Sequence, residues 1–268
     1  MKGTLNPNTI YRKILRNEIK MIEGIEFLIS IIEKSDNTSL RLESLKILDK
    51  LKPQDNTHFK MLENCVISDE SEEIRIISAQ IILEYYLQAG EECLKWALLN
   101  DKSSKFLKSL GMKLNNPQID RHEIFYLVYL QRLEKIAKKL DLVPLEVSFL
   151  LDLEFDINNY STFTWDSNNK LIYDDYAMFR IQDQHILELS ISLRNQLPSS
   201  IKLLKNLKNL DLSSNYLTDL PNSLSNLTNL ESLDLSWNDF KAFPEVLNDL
   251  KYVGKINFQN NLIPRKSS

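Results

Sequence analysis

The chain is poor in the residues from which most enzyme sites are built. It has two cysteines, Cys65 and Cys93, and three histidines in 268 residues. These do not combine into a zinc motif. Five glycines leave little material for phosphate-cradling loops. G-x-x-x-x-G-K-[ST], G-x-S-x-G, C-x-x-C and H-E-x-x-H are all missing, so the common nucleotide, hydrolase, redox and metalloprotease signatures do not apply. On this reading there is no catalytic residue, no metal ligand and no cofactor. No apolar run approaches the roughly 18 residues of a membrane helix. The opening "MKGTLNPNTIYRKILRNEIK" has no apolar stretch of the kind a secretion signal needs. The expectation is a cytoplasmic protein with two reduced, buried thiols. Positive charge is not in excess either. With 33 Lys+Arg against 37 Asp+Glu, the net charge of −4 gives no global pull towards nucleic acid or an anionic membrane.

What is present is repetition. Hydrophobic residues make up 43% of the chain, enough for a sizeable core. Leu207, Leu210, Leu212, Asn215 and Leu217 recur 23 residues later as Leu230, Leu233, Leu235, Asn238 and Phe240. They recur again as Val253, Ile256, Phe258, Asn261 and Ile263. The alternation at Leu210 and Leu212 predicts a short strand with one inward face. The asparagine must turn the chain, and its side chain can satisfy backbone groups in a buried bend. Asn215, Asn238 and Asn261 are therefore expected to stack as a structural ladder. Leu220-Pro221 and Phe243-Pro244 open an outer arm with Leu224, Leu227, Leu247 and Leu250. One copy cannot bury its leucines alone, but stacked copies share a core.

This L-x-x-L-x-L-x-x-N-x-L spelling resembles the 23-residue class of leucine-rich repeats. The resemblance implies a solenoid with a parallel sheet. Residues 185–206 read as a degenerate first copy. Ile186, Leu189 and Ile191 form its strand, and Arg194 or Asn195 stands where the ladder asparagine would be. Upstream, Phe163 and Trp165, then Leu171 and Tyr173, alternate with polar residues around "DSNNK". This predicts a β cap over the solenoid's first edge.

The N-terminal half has helical spacing. Three stretches, 27–48, 61–83 and 94–114, each pair an apolar helix ending near Asp36, Asp69 or Asp101 with a second helix starting within five residues. Residues at the bend can cap the second helix, and Glu72 and Glu73 suit its positive end. "DNTSLRLESLKIL" and "DESEEIRIISAQIIL" resemble HEAT repeats, which implies a short α-solenoid. The expected fold is thus α+β: a HEAT-like domain over 1–157, a β-hairpin cap or linker over 158–183, and leucine-rich repeats over 184–268.

Both resembled families imply a non-enzymatic protein-interaction scaffold. The strand positions between the leucines face the concave side: Asn209, Ser232 and Lys255; Asp211, Asp234 and Asn257; Ser213, Ser236 and Gln259. Trp237 follows the row of serines. It is either covered by neighbours or free to anchor a partner, since tryptophan is enriched at binding hot spots. Asp211 and Asp234 should sit side by side and favour a basic partner. The repeat class is associated with small GTPases and their regulators, which makes those a candidate partner. The last copy is followed only by "PRKSS", so its edge is a candidate for self-association.

Two competing readings have specific residues behind them. Some HEAT-like hydroxylases bind iron through several His-Glu pairs, and a metal-dependent site between the halves is the enzyme alternative. This chain has the single pair His122-Glu123. "LEKIAKKLDLVPLEVSFLL" (133–151) is similar to a helix-turn-helix, but its second helix carries Glu146 and Asp152 and no cation to read DNA.

Overall fold

The computed structural model describes residues 6–53, 58–114, 123–155, 163–165, 170–173 and 176–263, with backbone alone for 163–165 and 170–173. His122 lies outside the described residues. Contacts divide the chain into two compact units, Met1–Tyr129 and Leu130–Ser268. The division falls earlier than the change from helix to sheet, so the last helical segment belongs with the strands.

The first unit is helical. α1 (Pro7–Leu15), α2 (Met21–Lys34), α3 (Thr38–Lys50), α4 (Phe59–Ser68), α5 (Glu72–Tyr85), α6 (Glu91–Asn100) and α7 (Ser104–Leu114) follow in order, and α8 (Glu123–Leu140) begins here. α2 packs on α3 and α4 on α5, while α3, α5 and α7 pack in sequence. Local chemistry sets the helix starts. Asn6 accepts the N–H of Asn8 ahead of Pro7, Asn37 accepts that of Leu40, and the Ser103 hydroxyl accepts that of Phe106. Each satisfies an orphan donor at a helix N-terminus. α1 and α2 approach closely because Gly24 lacks a side chain. A Cβ there would lie 2.4 Å from Cδ1 of Ile14.

Ion pairs join successive hairpins. Arg41 of α3 pairs with Asp69 at the end of α4 and also donates Nε to the Ile32 carbonyl. Arg75 of α5 repeats the device. Its Nε and Nη2 reach Asp101 at 2.7 and 3.2 Å, and Nη1 reaches the Asp69 carbonyl at 2.9 Å. Each aspartate also accepts a backbone N–H at the bend, from Ser71 and Ser103 respectively. One carboxylate therefore fixes the bend within its hairpin and the link to the hairpin before it.

The second unit contains α9 (Pro144–Asp152) and one seven-stranded sheet in sequence order: β1 (Phe163–Trp165), β2 (Lys170–Tyr173), β3 (Ala177–Gln182), β4 (His185–Ile191), β5 (Asn209–Asp211), β6 (Ser232–Asp234) and β7 (Lys255–Asn257). β1 to β4 are antiparallel and β4 to β7 parallel. Leu189, Leu210, Leu233 and Ile256 are in register. The last three follow the 23-residue step, and the first coil keeps register although it is two residues shorter. Between the parallel strands the chain returns through 3₁₀ turns at Ser199–Leu203, Asn222–Asn226 and Glu245–Asp249, each preceded by a proline. Leu189, Leu210 and Leu233 of the strands and Leu224 and Leu247 of the turns are buried.

The asparagines do what the bend demands. Asn215 donates Nδ2 to the Ile191 and Leu212 carbonyls, both at 2.8 Å, and accepts the Arg194 N–H at 2.7 Å. Asn238 does the same one coil on, reaching the Leu212 and Leu235 carbonyls and accepting from Leu217. Asn261 repeats the pattern with Leu235, Phe258 and Phe240. Each amide satisfies its own coil and the coil before it. In the first coil, Arg194 stands at the ladder position and places its guanidinium 5.3 Å from the Phe155 ring centre.

Candidate functional site

The strand residues between the leucines form two rows across the sheet. Register pairs Glu188 with Asn209, Asn209 with Ser232, and Ser232 with Lys255. The second row runs Ser190, Asp211, Asp234 and Asn257. Met178 and Arg180 extend these rows on β3. Between them lies a depression of about 290 Å³ whose lining includes Glu188, Ser190, Asp211 and Asp234.

The two aspartates are neighbours, and each is held by hydrogen bonds. Asp211 accepts the Ser213 N–H at 2.9 Å and the Ser190 hydroxyl at 3.3 Å. Asp234 accepts the Ser236 N–H and hydroxyl at 2.9 and 2.6 Å, and Nδ2 of Asn257 at 3.0 Å. Burial pushes the Asp234 carboxyl up, but the hydrogen bonds from Ser236 and Asn257 and the charge of Lys255 outweigh it, so its pKa falls below the ordinary value. Asp234 is thus a fixed negative charge in the face. Asp211 and Asp234 are half-buried, Asn209, Lys255 and Gln259 are exposed, and Ser213, Ser232 and Asn257 are half-buried. Ser236 is buried, and its hydroxyl is committed to Asp234, so it supports the face from beneath.

Trp237 is 64% exposed. Neighbouring side chains do not cover it. Its backbone is left-handed, with φ 57°, like Leu193, Ser214 and Asn260 at the same place in the other coils (φ 58°, 57° and 59°). The bend imposes that conformation: Trp237 N–H is held by the Gln259 carbonyl and Ser214 N–H by that of Ser236. Asparagine suits such a position and a bulky side chain does not. Leu193 and Tyr216, on the preceding coils, are also exposed. The rim beyond the strands thus presents large apolar groups that gain little burial from folding.

A second polar constellation was not legible in the sequence. Glu146, noted there only as an acid on the second helix of the helix-turn-helix-like stretch, is 1% exposed. Its Oε1 lies 2.9 Å from Nδ1 of His185, and its Oε2 accepts the Ile186 N–H at 2.8 Å. Burial raises its pKa against the opposing contributions of His185 and Ile186. The pair fastens α9 to the first parallel strand. Val147, Phe149, Leu150 and Leu151 of α9 are buried too, and its outward positions, Leu145, Ser148 and Asp152, carry no cation. Both thiols are buried and unpaired. Burial raises the pKa of each, that of Cys93 to about 11, the opposite of an activated nucleophile. Among the described residues, no group of three or more His, Cys, Asp or Glu is placed to hold a metal.

Comparison with known families matches residues 186–240 to the family described as leucine rich repeat. These residues cover the first three parallel strands and Asn215 and Asn238 of the ladder, and stop before Asn261. No curated protein matches the chain. Among solved structures, one titled "Crystal structure of PEPR1-AtPEP1" aligns at 29% identity over 38% of this chain, with a TM-score of 0.27. The chain spans 13% of the length of that one.

Proposed function

We propose that the chain is a non-enzymatic protein-interaction module whose binding surface is the concave strand face and its apolar rim. The observation that carries this reading is Trp237. The bend that holds it favours asparagine, its side chain is in solvent, and Asp211 and Asp234 lie on the adjoining face. A large aromatic kept where folding gains little from it suits a binding anchor. The two fixed carboxylates suit a partner segment carrying Lys or Arg. The face is preorganised by backbone and side-chain hydrogen bonds, so little ordering entropy opposes binding. The helical hairpins form a HEAT-like solenoid in this proposal, supported by the repeated Arg41–Asp69 and Arg75–Asp101 links. The two unpaired thiols agree with a reducing, cytoplasmic setting.

The test is comparative affinity capture with the wild type and an Asp211→Lys/Trp237→Ala variant. We expect the variant to lose specific partners retained by the wild type, with small GTPases and their regulators the class to inspect first. An identical set of captured proteins would reject the concave face as the binding surface.

A further inference from the structure

We propose that the tip of the α1–α2 hairpin docks on an anionic lipid bilayer, independently of the concave face. The helices meet at a tight turn. Arg16 follows α1, Asn17 takes a left-handed φ of 58°, and Glu18 N–H returns to the Lys13 carbonyl at 2.9 Å. Ile14 and Ile19 point inward onto the cluster of Ile10, Leu28 and Ile47. The aliphatic residues beside them point outward: Leu15 is 64% exposed, Met21 46% and Ile22 71%. Three large aliphatic groups are therefore exposed within eight positions of one hairpin end.

Cations surround them. Arg12, Arg16 and Lys20 are exposed and Lys13 is half-buried. The first 22 residues hold five Lys/Arg and one Glu, on a chain of net charge −4. That Glu is Glu18, which faces Arg16 at 3.8 Å in an exposed pair, and Glu23 follows Ile22. Basic residues near the α1 C-terminus favour the helix dipole, but the dipole gives no reason to expose Leu15, Met21 and Ile22. Exposed aliphatic side chains flank the turn, with Arg16 and Lys20 between them and Arg12 and Lys13 one turn back in α1. A bilayer surface offers an acyl boundary to the aliphatic groups and anionic headgroups to the cations. A bilayer accepts such side chains without a shaped groove. The acidic remainder of the chain is repelled by the same surface, which favours approach by the tip.

The full chain should co-sediment with vesicles of phosphatidylcholine containing about 30% phosphatidylserine at ~0.1 M salt, and about tenfold less with phosphatidylcholine alone. Arg16→Glu/Lys20→Glu and, separately, Leu15→Ser/Ile22→Ser should each lower phosphatidylserine binding about tenfold. Circular dichroism monitors the fold, and because Ile22 is exposed, Ile22→Ser alone replaces a double variant whose spectrum changes. Trp237→Asn should bind vesicles as the wild type does, which separates this surface from the concave face. Lack of binding to phosphatidylserine vesicles overturns the proposal. So does binding that neither tip variant weakens, or a tip that ignores vesicles and retains an acidic protein.

Discussion

The carboxylate of Glu146 joins His185 Nδ1 at 2.9 Å and the Ile186 backbone N–H at 2.8 Å, inside the junction between α9 and the first parallel strand. Removing it leaves a buried N–H without an acceptor, so Glu146→Ala should lose about 2–4 kcal/mol in urea unfolding. Glu146→Gln keeps an acceptor for Ile186 and should lose less. The pH dependence has a defined sign. Burial raises the folded-state pKa above the ordinary 4.5, so the native state holds the proton more tightly than the unfolded chain. The stabilisation from Glu146 is complete below 4.5 and is lost as pH rises through the folded value. The stability of Glu146→Gln relative to wild type should therefore increase as pH rises above 4.5. A flat difference would show that Glu146 titrates as it does in the unfolded chain.

The asparagine ladder predicts a graded response. Asn238 is buried and serves Leu212, Leu235 and Leu217 on two coils. Asn238→Ala should lower unfolding stability by about 3 kcal/mol, since water cannot replace the lost bonds. Asn261 makes the corresponding bonds but is half-buried. Water can take its place, and Asn261→Ala should lose about 1 kcal/mol. Equal losses would contradict the burial gradient.

The Arg75–Asp101 link should behave as a unit. Both side chains are largely buried, and the guanidinium also serves the Asp69 carbonyl. Arg75→Met removes the guanidinium that meets the buried Asp101 carboxylate and should lose about 3 kcal/mol. In the Arg75→Met/Asp101→Asn double variant the loss should fall short of the sum of the single losses by about 1 kcal/mol or more. Additive losses would mean that the pair is not coupled.

Gly111 sets two opposing effects against each other. Alanine in a helix is favoured over glycine by about 1 kcal/mol. A Cβ at this position would lie 2.5 Å from Tyr129 Cζ and hydroxyl, and such overpacking costs about 1–3 kcal/mol. The clash is with the far end of a side chain on a packed helix, where little room exists to shift. Gly111→Ala should lower the thermal midpoint, and a raised midpoint would show that Tyr129 moves aside freely.

The parts of the fold written periodically were legible in the sequence. Leu210, Leu233 and Ile256 recur at a fixed step, so their register followed, and the asparagines had to serve the bend between them. Contacts between distant residues were not legible. Glu146 meets His185 across 39 positions, and nothing local distinguishes a buried carboxylate there from a solvated one. Ser236 fell in a row that reads as surface, but its commitment to Asp234 depends on the geometry of the turn. The aspartates ending α4 and α6 were legible as bend residues, whereas their pairing with Arg41 and Arg75 depends on how the hairpins stack.

Trp237 separates folding from binding. Its left-handed backbone costs a bulky residue about 1–2 kcal/mol, and 64% of it is in solvent, so burial returns little. Asparagine occupies the matching position 260 with the same φ. Trp237→Asn should therefore leave stability unchanged or raise it by about 1 kcal/mol, read as an unchanged or higher urea midpoint. Partner capture should fall in the same variant. A lower midpoint would instead make Trp237 a packing residue of the rim, and loss of capture could then not be assigned to its indole as a binding anchor.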